Sequence, residues 1–424
     1  MDRGVMKRSL SAAALVAVAA VAFAGCSTGE SGQESSEGGR GPITYAQGKD
    51  TSGELQRIVD AWNADHPDEK VTFVELPESA DDQRTAFVQD FQAGAGAYDV
   101  AGLDVVWTGE FAARKWLLPL DDIDTSALFE STVASGSYDG TLYAAPFNTN
   151  AGFLYYRTDL LPTPPTTWAE LDAACDVATQ AGIGCYGGQF AQYEGLTVNF
   201  SEAVNSAGGA VVDENGDASL DTPEAAAALQ HMVDGFTSGR TPAEAITYQE
   251  EEGRRAFQQG NLLFLRNWPY VHGLASEEGE DSVIQGKFGI APLPGLDGPG
   301  ASTLGGYNLA VSKATDNPET AKDFIRYMLT EDVQRKVLTE MSGAPTVSAL
   351  YDDPALQEQV PYLATLKSAL EEAVPRPQAV AYSELSHLVS TQVYSALQGK
   401  TSVEDTLASL QKDMQKLIDE SADK

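Results

Sequence analysis

The sequence predicts an α/β protein of two domains behind an export leader, on three observations. Short apolar runs alternate with amphipathic helical stretches from Pro42 onward, which is the habit of α/β chains. Beyond residue 40 there remain 384 of the 424 residues, too many for one core of ordinary size. Arg3, Lys7 and Arg8 precede an apolar run from Leu10 to Ala24, a secretory signal too short to span a bilayer.

The elements follow in order. Ile43 to Ala46 reads as a strand. Thr51 and Glu54 have the spacing of a capping box, and Leu55, Ile58, Val59 and Trp62 fall at helical spacing, so a helix is expected to about His66. Val71 to Leu76 is the next strand. Arg84, Phe87, Val88 and Phe91 mark a helix ended by Gly94 and Gly96, and Tyr98 to Leu103 is a third strand. Asp139-Gly140 is a turn dipeptide between strand-like flanks, and Gly152 to Arg157 resumes as a strand. After the prolines at 162, 164 and 165 a helix begins near Thr167, and Thr222-Pro223-Glu224 announces another. Leu262 to Leu265 is a short strand running into Arg266-Asn267-Trp268-Pro269-Tyr270. Past Leu304-Gly305-Gly306-Tyr307, residues 318 to 424 read as mostly helical, with breaks near Pro345 and at Pro375 to Pro377.

The leader ends in Ala24-Gly25-Cys26, which resembles the bacterial lipobox with Phe23 where leucine is usual. The resemblance implies a signal peptide over 1–25 and a lipidated Cys26. A multiply acylated cysteine anchors stably at roughly 0.8 kcal/mol per buried CH₂. Residues 26–41, rich in Ser, Gly and Glu, read as a tether with a reach of about 20 Å. The membrane is then a partner through the lipid anchor only. The formal net charge of −35 excludes nucleic acid, since a polyanion is repelled over most of the surface. Cys175 and Cys185 are ten residues apart with no histidine near in sequence, and in an oxidising compartment such a pair is expected as a disulfide and not a metal site.

Catalytic patterns are missing from the sequence: no Gly-x-Ser-x-Gly elbow, no His-Glu-x-x-His and no glycine-rich phosphate loop. His66, His231, His272 and His387 are scattered and suit surface or helix-end roles better than metal ligation. Glu250, Glu251 and Glu252 could join Asp104 as a glycosidase pair, but the run reads first as a solvated acidic helix start. No catalytic residue, metal or cofactor is assigned. Polar and aromatic residues instead gather at the ends of expected strands, where open α/β sheets take ligands: Asp104 and Trp107, Asn148-Thr149-Asn150, Arg266 to Tyr270, and Gly305 to Tyr307. Rings that pack on C–H faces and side chains that pair with vicinal hydroxyls suit a sugar.

At these residues the chain resembles the maltose-type carbohydrate binders among the solute-binding proteins of bacterial ABC importers, and within them the trehalose/maltose-binding lipoproteins. The resemblance rests on Asp99 to Trp107 with Glu110-Phe111, Ala145 to Gly152 leading into Tyr155-Tyr156-Arg157, Ala256-Phe257 with Gly260, Asn267 to Tyr270, Leu304 to Tyr307 and Arg376-Pro377. It implies a two-lobed periplasmic-binding-protein fold with a hinge of several segments and a ligand cleft between the lobes. Lobe one is expected at 42–147 and 295–330, and lobe two at 148–294 and 331–424. Ligand binding favours the closed state in such a hinge.

The same resemblance places Asp104 and Arg84 as hydroxyl partners beside Asp50 and Glu78. Trp268 and Tyr270 become stacking faces, Tyr307 a further wall behind Gly305 and Gly306, and Arg376 a guanidinium clamp. Asn148 and Asn150 stand where related binders often carry an aromatic and an aspartate. Asn-Thr-Asn is similar to the trehalose-recycling actinobacterial branch, so trehalose is expected ahead of maltose or a longer α-linked oligosaccharide. The expected protein is a monomer that hands its sugar to an ABC permease and is not an enzyme. A cationic solute such as a polyamine on the same fold, and a secreted glycoside hydrolase, are the alternatives.

Overall fold

The computed structural model describes residues 39–277 and 279–422; the expected signal peptide, Cys26 and the expected tether through residue 38 lie outside the described residues. Twelve strands build two main sheets and a hairpin: β1 (Ile43–Gln47), β2 (Val71–Glu75), β3 (Val100–Asp104), β4 (Ser137–Tyr138), β5 (Thr141–Leu142), β6 (Ala144–Asn150), β7 (Phe153–Arg157), β8 (Gly184–Gly187), β9 (Leu262–Asn267), β10 (Phe288–Ala291), β11 (Gly305–Val311) and β12 (Ala344–Pro345). The first sheet has the order β12-β6-β11-β3-β1-β2, the second β10-β7-β9-β8, and β4 pairs with β5 across the expected Asp139-Gly140 turn. β1 runs parallel to both β2 and β3, β11 inserts antiparallel between β3 and β6, and β8 runs parallel to β9. This is the two-lobed α/β architecture expected from the sequence.

Local chemistry explains most elements. β9 is buried along its whole length, as an inner strand covered on both faces must be. Thr167 accepts from the Glu170 backbone N–H at 3.2 Å while the Glu170 carboxylate accepts from the Thr167 N–H at 3.3 Å, a complete capping box at the start of helix Trp168–Ala181. Thr222 and Pro223 likewise open helix Pro223–Thr237. The box expected at Thr51 and Glu54 does not form. Gly53, with φ of 72°, turns the chain just before helix Glu54–Asp65, so Asp50 reaches over instead and accepts from the Leu55 N–H at 2.8 Å. Cys175 and Cys185 are joined by a disulfide between the helix and β8.

The first sheet extends beyond the expected division at residue 330. Val333 and Val337 of helix Glu331–Thr339 pack into the core around Tyr45, Trp62 and Phe324, and β12 pairs with β6. The residues that pack on the first sheet thus continue to Pro345. At the other end Arg40 donates to Glu69 at 3.0 Å and to Asp323 at 2.6 Å, so the chain is already held to the first sheet before residue 41.

Among the described residues three segments connect the sheets. Only Ala151 and Gly152 separate β6 from β7, residues 292–304 carry β10 into β11, and Val374 pairs with Thr303 on the way to the C-terminal helices. The first two are stitched together, because the Ser302 hydroxyl donates to the Gly152 carbonyl at 3.2 Å and accepts from its N–H. Chain crossings this short and this close can bend as one hinge. Among the described residues no helix is long and apolar enough to cross a membrane.

Candidate functional site

A cleft lies where the carboxyl ends of the parallel strands of the two sheets face each other, the usual ligand position in open α/β sheets. The first sheet contributes Asp50 after β1, Glu78 after β2, Asp104 at the end of β3 and Asn148 and Asn150 on β6; the second contributes Tyr193 and Glu194 after β8, and Trp268 and Tyr270 after β9. The cavity volume is about 210 Å³, larger than the roughly 150 Å³ that admits benzene. One six-membered ring fits within that volume, and the cleft is partly open beyond it.

The deepest part is ionic. Arg376, 4 % exposed, follows the third crossing and donates from Nη2 to Asp104 at 2.7 Å and from Nη1 to Glu194 at 2.5 Å. Glu194 also accepts from the Tyr382 hydroxyl at 2.5 Å and from Ser386, so its oxygens are committed to the protein. Burial pushes the Glu194 carboxyl above the ordinary range although Arg376 opposes the shift. Asp104 Oδ1 accepts from Arg376 and from the Val106 N–H at 3.2 Å, which leaves Oδ2 without a protein partner among the described residues. That oxygen is an acceptor available to a hydroxyl.

The aromatic wall has its polar tips satisfied within the protein. Tyr270 donates to Glu251 at 2.7 Å, Tyr193 to Glu250 at 2.7 Å and Tyr307 to Gln83 at 3.2 Å. Burial, with nearby carboxylates, raises all three phenols well above the usual tyrosine range. Their hydroxyls stay neutral and their rings are held in place. Burial also raises Glu250, while at Glu251 hydrogen bonds from Arg254 and Tyr270 outweigh burial and lower it.

Of the twelve residues assigned to the ligand from sequence, eleven line this cleft: Asp50, Glu78, Asp104, Asn148, Asn150, Trp268, Tyr270, Gly305, Gly306, Tyr307 and Arg376. Arg84 does not. Its guanidinium bonds Glu110 at 2.7 Å, and it borders a separate surface hollow with Ser383 and His387. The amphipathic helix that carries it turns it to the buried Glu110 carboxylate, away from the cleft. Asp50 reaches the cleft wall with both oxygens bonded to Ser52 and Leu55, and so acts first as a helix cap. Glu78 is paired with Lys49 at 2.5 Å.

The two glycines serve neighbouring protein atoms. A Cβ at Gly306, whose φ is 123°, would stand 2.3 Å from the Asn148 carbonyl oxygen, and one at Gly305 would stand 3.1 Å from the Trp268 ring. Asn148 accepts from the Tyr307 N–H at 2.9 Å, which leaves its NH₂ for the cleft. His231, expected at a surface or helix end, is instead stacked on Trp168 with ring centroids 4.4 Å apart, and burial lowers it to about 3. Tyr193, Glu194, Gln83 and Gln249 are cleft residues that sequence reasoning missed. The signal at 193 and 194 is faint: an aromatic that caps and an acid that begins the helix following β8 at a carboxyl end.

Comparison with known proteins agrees with this geometry. The profile of the family described as bacterial extracellular solute-binding protein matches residues 45–335. A probable ABC transporter-binding protein of Deinococcus radiodurans is 36 % identical over 378 residues, covering 84 % of this chain and 89 % of that protein. An arabinooligosaccharide-binding protein of Halalkalibacterium halodurans is 25 % identical over 72 % of this chain and 71 % of its own length. Maltose-bound MalE3 of T. maritima superposes with a TM-score of 0.84 at 35 % identity, covering 89 % of this chain and 99 % of that one.

Proposed function

The chain belongs to the bacterial extracellular solute-binding protein family, and from that premise we propose that it captures an α-linked disaccharide, trehalose first and a maltose-type sugar second, and delivers it to an ABC permease. The observation that carries the reading is the cleft itself. Aromatic faces at Trp268, Tyr270 and Tyr307 surround a free Asp104 oxygen and two amides, Asn148 and Asn150, at the meeting of two lobes. Rings take the apolar C–H faces of a pyranose, while carboxylate and amide groups take its hydroxyls. Maltose in MalE3 of T. maritima and the oligosaccharide named for the Halalkalibacterium protein support a sugar, and only the resemblance of Asn148-Thr149-Asn150 to the trehalose-recycling actinobacterial branch favours trehalose. Closure of the lobes is the signal the permease reads, because a ligand shifts a two-state hinge only by binding one state better.

In this reading residues 42–147 and 295–330 form most of one lobe, 148–294 and 331–424 most of the other. Cys26 bears the lipid, and the protein works as a monomer held beside its permease at high local concentration. No hydrolase role is assigned to the same carboxylates, because the family and its named relatives are binding proteins.

A cationic solute is the second reading, favoured by six carboxylates against Lys49 and Arg376 on the cleft wall. Four of the six are already paired: Glu78 with Lys49, Asp104 and Glu194 with Arg376, and Glu251 with Arg254. Calorimetric titration with trehalose, maltose, maltotriose and spermidine separates the readings. Saturable heat is expected with a disaccharide and none with spermidine. The reverse pattern would replace the sugar, and hydrolysis of a labelled α-glucoside would replace the binding function.

A further inference from the structure

We infer that Arg266 and Glu202 are a positioning pair that fixes the plane of the Trp268 ring in the cleft and ties it to the segments crossing between the sheets; the inference rests on the reading of Trp268 as a sugar-stacking face. Arg266 is on β9, and at 1 % exposure it is among the largest fully buried side chains. Its Nε and Nη2 donate to Glu202 at 2.7 and 2.6 Å, and its Nη1 donates to Gln189 at 3.0 Å. Those bonds lie in the guanidinium plane, so its face remains free. That face meets the indole, with the guanidinium carbon 4.0 Å from the Trp268 ring centroid.

The indole is therefore backed by a fixed cation and half-exposed where it lines the cleft. Its backbone is pinned as well. The Trp268 N–H donates to Asn267 at 2.8 Å, and its carbonyl accepts from the Tyr155 hydroxyl at 2.8 Å. Opposite the ring stands Gly305, where any Cβ would come within 3.1 Å of it.

Glu202 extends the arrangement to the hinge. It lies on helix Glu194–Ser206, and its Oε1 accepts from the Thr303 N–H at 3.1 Å on the second crossing. Gly152 on the first crossing has no room for a side chain, because a Cβ there would stand 2.5 Å from Glu202 Oε1 and 2.6 Å from Arg266 Nη2. One ion pair thus touches both crossings and the ring.

Energetics argue that the pair is there for orientation. A buried ion pair loses so much hydration that apolar residues of similar volume often serve stability as well or better. What apolar residues do not supply is a planar cation at a fixed angle behind an aromatic ring, or a charged acceptor for the Thr303 N–H. Trp268 would then be pre-set for a pyranose, sparing the ordering cost that a mobile ring adds to binding.

The test uses the whole protein labelled with 5-fluorotryptophan, with W268F assigning the Trp268 resonance. The double variant E202M/R266M removes both charges together and leaves no unpaired ion. The Trp268 resonance of the unliganded double variant should broaden or split, and the Kd for the disaccharide that the wild type binds should rise about three- to thirtyfold. The midpoint of thermal unfolding should stay within a few degrees. R266K, which keeps the charge but loses the flat fork, should move the resonance in the same direction and serves if the double variant does not fold. An unchanged resonance in either folded variant, or a lower midpoint with unchanged resonance and Kd, overturns the inference. If the wild type binds no sugar, the reading of the cleft fails while the fluorine spectrum still decides whether the pair orients the ring.

Discussion

Replacing Asp104 by Asn separates what this residue does for the fold from what it does for a ligand. In the wild type Oδ1 accepts from Arg376 at 2.7 Å and from the Val106 N–H at 3.2 Å, and Oδ2 has no protein partner among the described residues. Asparagine can keep its oxygen at the Oδ1 position, so both bonds persist, but the contact with Arg376 loses its charge-assisted part, about 1 kcal/mol. At the Oδ2 position an NH₂ donor replaces an acceptor. A sugar hydroxyl that donates there loses about 1–2 kcal/mol. The weakened Arg376 contact is present with and without ligand and cancels from binding, so Kd should rise about 5- to 30-fold. Stability should fall by no more than about 1 kcal/mol, because Arg376 keeps Glu194 and the Asp104 side chain is 17 % exposed, so water can satisfy the new amide. Calorimetry for Kd and a thermal melt for the unliganded protein make the check. A Kd within threefold of wild type would refute the assignment of Oδ2 to the ligand. A melt lowered by more than about 10 °C would show that Asp104 is structural first.

Other substitutions test other parts of the account. W268A should weaken sugar binding by about 2 kcal/mol, the burial lost from one face of the ring at about 25 cal/mol per Å², with little change in the unliganded melt; the opposite pattern would assign Trp268 to the core. G306A should destabilise the fold by about 2–4 kcal/mol, because its φ of 123° and the Asn148 oxygen 2.3 Å from the new Cβ add strain to a clash, while G140A, with open space around it, should cost about 1 kcal/mol in the same denaturant series. For Glu250, burial raises the folded pKa above its ordinary 4.5, so the folded state holds the proton longer and the stability of the wild type relative to E250Q should fall as pH rises from about 4.5 through that raised value; a difference that grows with pH would reverse the sign. Reducing the Cys175–Cys185 bridge opens a loop that spans a separation of only ten residues, and should cost at most about 2–3 kcal/mol with Kd unchanged.

The pattern of alternating strands and helices in the sequence made the α/β class legible, because each strand carries its own apolar run and each helix its own stripe; two domains were legible from chain length, and the two-lobed arrangement only from the resemblance to maltose-type binders. Cap chemistry was legible where it is wholly local, as at Thr167 and Thr222, and misleading at Thr51, where one glycine at 53 let Asp50 reach the helix first. In the cleft, residues at strand ends such as Asp104, Trp268 and Tyr307 could be read from position and residue type. Arg84 could not, since its direction depends on Glu110, a partner 26 residues away. Tyr193 and Glu194 were hidden for a like reason: their place in the cleft is set by the folding of one lobe over the other, which no local spacing encodes. The ion pair beneath Trp268 joins residues 64 apart and was equally beyond sequence periodicity.

The central claim is that a two-ring sugar lies in this cleft between the lobes. A crystal structure of the protein grown with saturating trehalose tests it most directly. The account predicts electron density for the disaccharide against the open face of Trp268, with one hydroxyl within hydrogen-bond reach of Asp104 Oδ2 and others near the amides of Asn148 and Asn150. An empty cleft under those conditions, with trehalose, maltose and longer α-linked sugars all failing to appear, would contradict it.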